Sequence, residues 1–266
     1  MKISGTHYRT IWRTDVGDVR VIDQSRLPFT FETLDLVSLE DAAKAIKTMV
    51  VRGAPLIGAT AAYGLALAVR SNPSDAHMDH AARLLMATRP TAHNLSWALA
   101  RMRRTLDGIA LPERADAAFR TAALICDEDV EQCKAIGAHG LDILRRTAAL
   151  NPGRLNVLTH CNAGWLACVD WGTALAPVYR AHDAGIPIHV WVDETRPRNQ
   201  GASLTAFAVR SFSRKWRTTL PELISRETNE GAGQSHDSPM ERNVVNRPVC
   251  TFSLIPLSAS RWLIAS

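Results

Sequence analysis

The chain has 266 residues, 46% of them hydrophobic and 21% charged, with a formal net charge of +5. That length carries two domains or one large one, and the apolar content excludes a chain that is disordered throughout. No run approaches the roughly 18 apolar residues of a helical membrane span, so a soluble protein without a membrane partner is expected. The opening residues Met1 to His7 lack the apolar stretch of a secretory leader, which makes the cytoplasm the expected compartment. Five cysteines (Cys126, Cys133, Cys161, Cys168 and Cys250) include no closely spaced pair. They read as reduced thiols, with neither a disulfide framework nor a zinc site expected. The charge fits nucleic acid or an anionic small molecule, and the total does not separate them.

The first elements read as strands. Tyr8 to Trp12 and Val19 to Asp23 alternate apolar with polar around a turn at Asp15 to Asp18, as a hairpin does. A third strand is predicted after Pro28, over Phe29 to Leu34. At Ser38 the period changes: Ser38-Leu39-Glu40-Asp41 resembles a capping box, and Ala42, Ile46, Met49 and Val50 then share one helical face. A break at Arg52-Gly53-Ala54-Pro55 precedes a helix of small residues, Ile57 to Val69, and helical patterns follow near 80–87 and 92–106. The longest helix is predicted from Pro112 to Arg146, with Ala122, Ile125, Cys126, Cys133, Ile136, Leu141 and Leu144 on its apolar side. Cys126 and Cys133, two turns apart on that stripe, read as core packing.

Asn151-Pro152-Gly153 marks a turn and a domain boundary. Beyond it the pattern is strand (155–160), helix (173–184), strand (188–192) and the start of a helix (202–209), which implies a parallel sheet with helices on its faces. Ligands in such sheets sit at the carboxyl ends of the strands. Here those ends carry Cys161-Asn162-Ala163-Gly164 and the polar run Asp193 to Ala202. A thiol at a strand end, close to backbone N–H groups, is placed for catalysis, although a buried structural cysteine gives the same spacing. The polar run leads to a helix N-terminus able to hold an anion, or is a solvated loop. Cys168 has no such setting and reads as packing. Arg52 and Arg89 each sit at a turn next to a helix, and guanidinium groups match phosphate oxygens. Basic residues interleaved with aromatics, which single-stranded nucleic acid would want, are lacking.

Four strings in order are more specific than any one of them: Val51 to Gly58 (VRGAPLIG), Thr88-Arg89-Pro90-Thr91, Thr159 to Gly164 (THCNAG), and Glu194-Thr195-Arg196-Pro197 through Gln200-Gly201-Ala202. Over about residues 1 to 207 the chain resembles the S-methyl-5-thioribose-1-phosphate isomerases of methionine salvage, relatives of the regulatory subunits of translation initiation factor 2B. The resemblance implies an α/β fold: a small N-terminal β-sheet plus a helical domain (1–150), then a truncated Rossmann-like parallel α/β domain (151–207). It also implies a homodimer in full-length relatives, a phosphorylated small-molecule substrate, and no metal or nucleotide cofactor. By that resemblance Arg52, Gly53, Ala54, Arg89 and Gln200 would hold substrate, and Cys161 would serve the hydrogen-transfer step. Two other readings stay open: a non-catalytic regulatory subunit of the factor 2B type, for which the thiol has no use, and a ribose 1,5-bisphosphate isomerase.

After Phe207 the resemblance ends. The family's Gly-Thr/Ala-Asp-Arg segment, whose aspartate is the proton donor, and its substrate-contacting Asn-Lys pair are not found; Asp237 has no matching surroundings. Residues 208–266 read as a non-matching tail, with two short candidate strands at 243–245 and 251–255. The tail holds 8 of the 31 basic and 5 of the 26 acidic side chains, so it supplies +3 of the +5 and removes the suggestion of nucleic acid. Arginine outnumbers lysine 26 to 5, as a GC-rich coding sequence gives, and the tail is expected to be the product of a frameshift near codon 208, the alternative being a divergent C-terminus. Translating the DNA beyond codon 207 in the other two frames is expected to recover the missing segments; their absence from both frames contradicts the frameshift.

Overall fold

A computed structural model describes residues 1–3, 5–150, 153–195 and 198–212, together with 218–219 and 262–265. Two short hairpin strands, β1 (Lys2–Ile3) and β2 (Thr6–His7), precede an antiparallel sheet of β3 (Ile11–Arg13), β4 (Val19–Ile22) and β5 (Thr33–Leu36). The expected hairpin is β3–β4, with Ile11 opposite Val21 and Arg13 opposite Val19. The third strand starts four residues later than its sequence pattern indicates. The chain after Leu27 turns back instead, the N–H groups of Phe29 and Thr30 both donating to the Arg26 carbonyl, and Phe29 stands in solvent.

Ser38 opens α1 (Leu39–Lys47) with the predicted capping box: its Oγ accepts the Asp41 N–H while Asp41 Oδ2 accepts the Ser38 N–H, both at 3.1 Å. Helix α2 (Ala54–Ser71) begins three residues before the expected start, because Pro55 falls in its first turn, where a missing N–H costs nothing. It is buried nearly all round and is packed by α1, α3 (Asp75–Thr88), α4 (His93–Leu106) and α5 (Leu111–Leu150). A helix made of Ala, Gly and Leu suits that central place, since its thin surface lets four neighbours approach. Among the described residues no helix is long and apolar enough to cross a membrane.

The strand–helix alternation beyond residue 153 appears as β6 (Leu155–Thr159), α6 (Ala176–Asp183), β7 (Ile188–Val192) and α7 (Ala206–Phe212). Strands β6 and β7 are parallel, with Leu155 opposite Ile188 and Thr159 opposite Val192. Helix α6 starts at Ala176 rather than near Thr173, because Thr173 to Leu175 form a turn closed by the Ala176 N–H on the Thr173 carbonyl. The outer sides of β6 and β7 are each paired by a further strand. Strand β8 (Thr218–Thr219) lies along β7 and β9 (Trp262–Ala265) along β6, all four parallel in the order β8-β7-β6-β9. The candidate strands at 243–245 and 251–255 lie outside the described residues.

Two apolar cores result. One lies among α1–α5 and β3–β5; the other surrounds β6, β7 and α6 and takes in Ile22 and Leu27 from the opening strands. Helix α5 joins them. Of its predicted stripe, Ala122, Ile125, Cys126, Cys133 and Leu144 are buried, while Ile136 and Leu141 are half-exposed. Gly137 and Gly140 take the inner face there, because α6 lies so close that a Cβ on Gly140 would overlap the Pro177 ring. Gly140→Ala is therefore expected to lose about 1–3 kcal/mol through overpacking, read as a lower urea midpoint; an unchanged midpoint contradicts this close packing.

Candidate functional site

The carboxyl ends of β6 and β7 are tied together. The Asp193 N–H donates to the Thr159 carbonyl at 2.8 Å, and His160 Nδ1 lies 2.9 Å from Asp193 Oδ2. Immediately after β6 the chain turns at Cys161, whose φ of 66° is uncommon for a residue with a side chain. Its carbonyl accepts the Thr205 hydroxyl at 2.6 Å, and this bond holds the turn against the wide helical turn Gly201–Thr205 that leads into α7. The thiol itself is exposed, which removes the alternative of a buried structural cysteine. Cys126, Cys133 and Cys168 are the buried ones, and burial pushes the Cys126 thiol up to about 12.

Arg52 reaches this place from the other side of the molecule. Gly53 follows it with φ 101°, and a Cβ there would overlap the backbone and side chain of Ala167, so only glycine lets the two segments meet. Arg52 is 9% exposed, and its Nε is buried without a hydrogen-bond partner. Among the described residues it has no carboxylate partner. Burial lowers its pKa, Arg198 lowers it further, and Cys161 acts in the opposite direction, so the three side chains share one electrostatic neighbourhood. A buried guanidinium with no counter-ion is costly, and an anion bound beside it would offset that cost.

The other sequence-predicted residues are placed less directly. Ala54 is the first residue of α2. Arg89 ends α3, with Nη1 buried and unpartnered. Its loop leads to Asn94, whose carbonyl lies against Gly58 on the first turns of α2. Gln200 stands directly before the turn that holds the Cys161 carbonyl. Arg52 and Cys161 thus share one site, Gln200 adjoins it along the chain, and Arg89 is tied only to the neighbouring end of α2. Arg196 lies outside the described residues.

One expectation is corrected. The N–H groups at the helix start after the polar run were read as able to hold an anion, yet Glu194 takes them. Its carboxylate accepts the N–H groups of Thr195 at 2.7 Å, Gly201 at 2.8 Å and Ala202 at 3.0 Å. The anion there is the chain's own. Two participants went unread in the sequence. Arg198 was one polar residue among many, and nothing in its spacing ties it to Arg52. Asn162 was taken as a small turn residue, but both ends of its amide are buried without partners directly beside Cys161.

A family model described as the initiation factor 2 subunit family matches residues 50–212, and the chain belongs to that family. Its relatives include two proteins named methylthioribose-1-phosphate isomerase, from Methylorubrum populi (64% identity over 208 residues) and Rhodospirillum rubrum (57% over 243 residues). The first comparison covers 78% of this chain and 57% of the relative, the second 89% and 61%. The chain therefore spans about three fifths of the length of these relatives. Two solved structures are similar: the translation initiation factor eIF-2B subunit delta of A. fulgidus and the 5-methylthioribose 1-phosphate isomerase of Pyrococcus horikoshii. The TM-scores are 0.71 and 0.70 and the identities 37% and 35%, covering 82% and 83% of this chain and 64% of each of theirs. A fold shared by a translation factor subunit and an isomerase does not choose between them.

In the native protein a thiol reagent is expected to label Cys161 and leave Cys126 intact until the chain is unfolded, as peptide mapping would read. Equal labelling of both contradicts the burial pattern.

Proposed function

We propose that this chain is an isomerase of 5-methylthioribose 1-phosphate by descent, acting in the cytoplasm, with Cys161 at the reacting carbons and Arg52 on the substrate's phosphate. The observation that carries this reading is the exposed Cys161 thiol at the end of β6, in the field of a buried arginine that has no carboxylate partner among the described residues. The identity of 57–64% to proteins named as this isomerase supports it. A regulatory subunit, the kind of protein the A. fulgidus structure is titled, has no need of an exposed thiol beside a phosphate site. The backbone of Gly53 and Ala54, at the start of α2, together with Arg89 and Gln200, completes the binding of substrate. Residues 1–150 form the sheet and helical domain and 151–207 the Rossmann-like part, and the resemblance implies a homodimer in full-length relatives.

The chemistry sets what is needed. A phosphate on the anomeric carbon blocks simple opening to an aldehyde, so an acid must assist ring opening before hydrogen moves between C1 and C2. Arg52 supplies positive charge where the phosphate sits, and the hydrogen bonds of a guanidinium to an anion contribute about 1.5–3 kcal/mol each. Cys161 stands where hydrogen is transferred. The acid segment implied by the resemblance, Gly-Thr/Ala-Asp-Arg, is not found in residues 208–266.

A general acid contributes about 10²–10⁴-fold to a rate, and turnover of methylthioribose 1-phosphate should fall below that of a full-length relative by such a factor. A coupled isomerase assay on the purified chain checks this. Turnover equal to a full-length relative contradicts the requirement for the missing acid; residual turnover that survives Cys161→Ala contradicts the role of the thiol.

A further inference from the structure

Between the two cores lies a small third cluster that the isomerase reading does not use. Cys133 on α5 and Cys168, just past the 3₁₀ turn Trp165–Ala167, are 2% and 1% exposed and pack with Ala167 and Trp171. Asp129 stands one helical turn before Cys133, on the same face of α5. One carboxylate oxygen of Asp129 and the sulfurs of Cys133 and Cys168 all lie within 4.8 Å of one another. We propose that Asp129, Cys133 and Cys168 form a binding site for one thiophilic divalent cation of the Zn²⁺ type, which fastens α5 to the segment that seats Gly53.

The donor set is that of zinc: two thiolates and a carboxylate, with a fourth, tetrahedral position left for water. Two sulfurs on one zinc stand about 3.8 Å apart at a Zn–S length of about 2.3 Å, and the three ligand atoms here already lie within 4.8 Å of one another. The backbone around it is already fixed. The Thr10 hydroxyl donates to the Cys168 carbonyl at 2.5 Å, and the Val169 N–H donates to Asp129 Oδ2 at 2.8 Å. Such outer contacts orient metal ligands and hold their geometry. Asp129 also lines a cavity of about 330 Å³ that Pro55, His93, Trp97 and Glu128 share. Binding converts two thiols to thiolates and releases two protons to water. The fourth ligand, water from the cavity side, completes the shell.

The consequence is mechanical. Ala167 immediately precedes Cys168 and is the residue against which Gly53 packs. A cation held by Asp129, Cys133 and Cys168 would set the position of Ala167, and through it the Arg52 turn, whatever reaction Cys161 performs.

The test uses the full chain, reduced and stripped of metal by a chelator, titrated with Co²⁺. The expected result is one equivalent bound, with a thiolate-to-cobalt charge-transfer band that Zn²⁺ abolishes, and a thermal midpoint raised by about 5 °C at a hundredfold excess over Kd. The band should vanish in Cys133→Ser and in Cys168→Ser and persist in Cys161→Ser. No band in the folded, reduced protein overturns the proposal, as does a band that survives in Cys133→Ser and Cys168→Ser together. Should these variants fail to fold, X-ray absorption at the zinc edge of the unaltered protein decides: two sulfur ligands support the site, and any other number overturns it. A Cys133–Cys168 disulfide formed in air, with no cobalt band after reduction, also overturns it.

Discussion

The arrangement rests on the contact between Gly53 and Ala167. The first residue belongs to the turn that starts the central helix α2, the second to the turn that follows β6, and they meet with no room for a side chain. Gly53 is held at a positive φ, and Arg52 before it is buried with its Nε enclosed. Cys161, a few residues upstream of Ala167 on the same segment, then lies within that guanidinium's field. Without this approach the arginine and the thiol would belong to separate halves of the chain. A glycine here does what no hydrogen bond in the site does: it lets two backbones share a volume.

Electrostatics follow from the same packing. Arg52 is buried without a counter-ion among the described residues, at a cost the fold must meet elsewhere. The two large cores on either side meet it, since each buries many aliphatic side chains. Glu194 solves a neighbouring problem differently. It spends its carboxylate on three backbone N–H groups and so closes the loop that carries Arg198 and Gln200. One side of the site is thus satisfied from within, and on the other Arg52 has no carboxylate partner among the described residues.

Much of this was legible in the sequence because it depends on local rules. The capping box at Ser38 needs only its own four residues, and β6 and β7 are apolar runs whose parallel pairing follows from the helix between them. Cys161 was legible by place, since a thiol directly after a buried strand has one end of the sheet to face. The frame of the third strand was not, because the turn after Leu27 depends on a carbonyl of Arg26 that accepts twice. Nor was the inner face of α5 past Cys133, where two glycines replaced the expected Ile136 and Leu141 once α6 came close. Cys133 and Cys168 each read as packing in the sequence, and their meeting with Asp129 was not legible there, for the same reason as Arg198. Asp129 and Cys133 are one turn apart on α5, but the arrival of Cys168 is set by the docking of α5 on a distant loop, and no spacing along the chain encodes it.

The central claim is that a buried Arg52, brought beside Cys161 by the Gly53 turn, binds the phosphate of a small sugar phosphate. Calorimetric titration of 5-methylthioribose 1-phosphate into the chain and into Arg52→Ala measures it directly. Loss of charge-assisted hydrogen bonds of about 1.5–3 kcal/mol should weaken binding by at least tenfold in the variant while its unfolding midpoint holds or rises. Equal affinity in the two proteins would contradict the account.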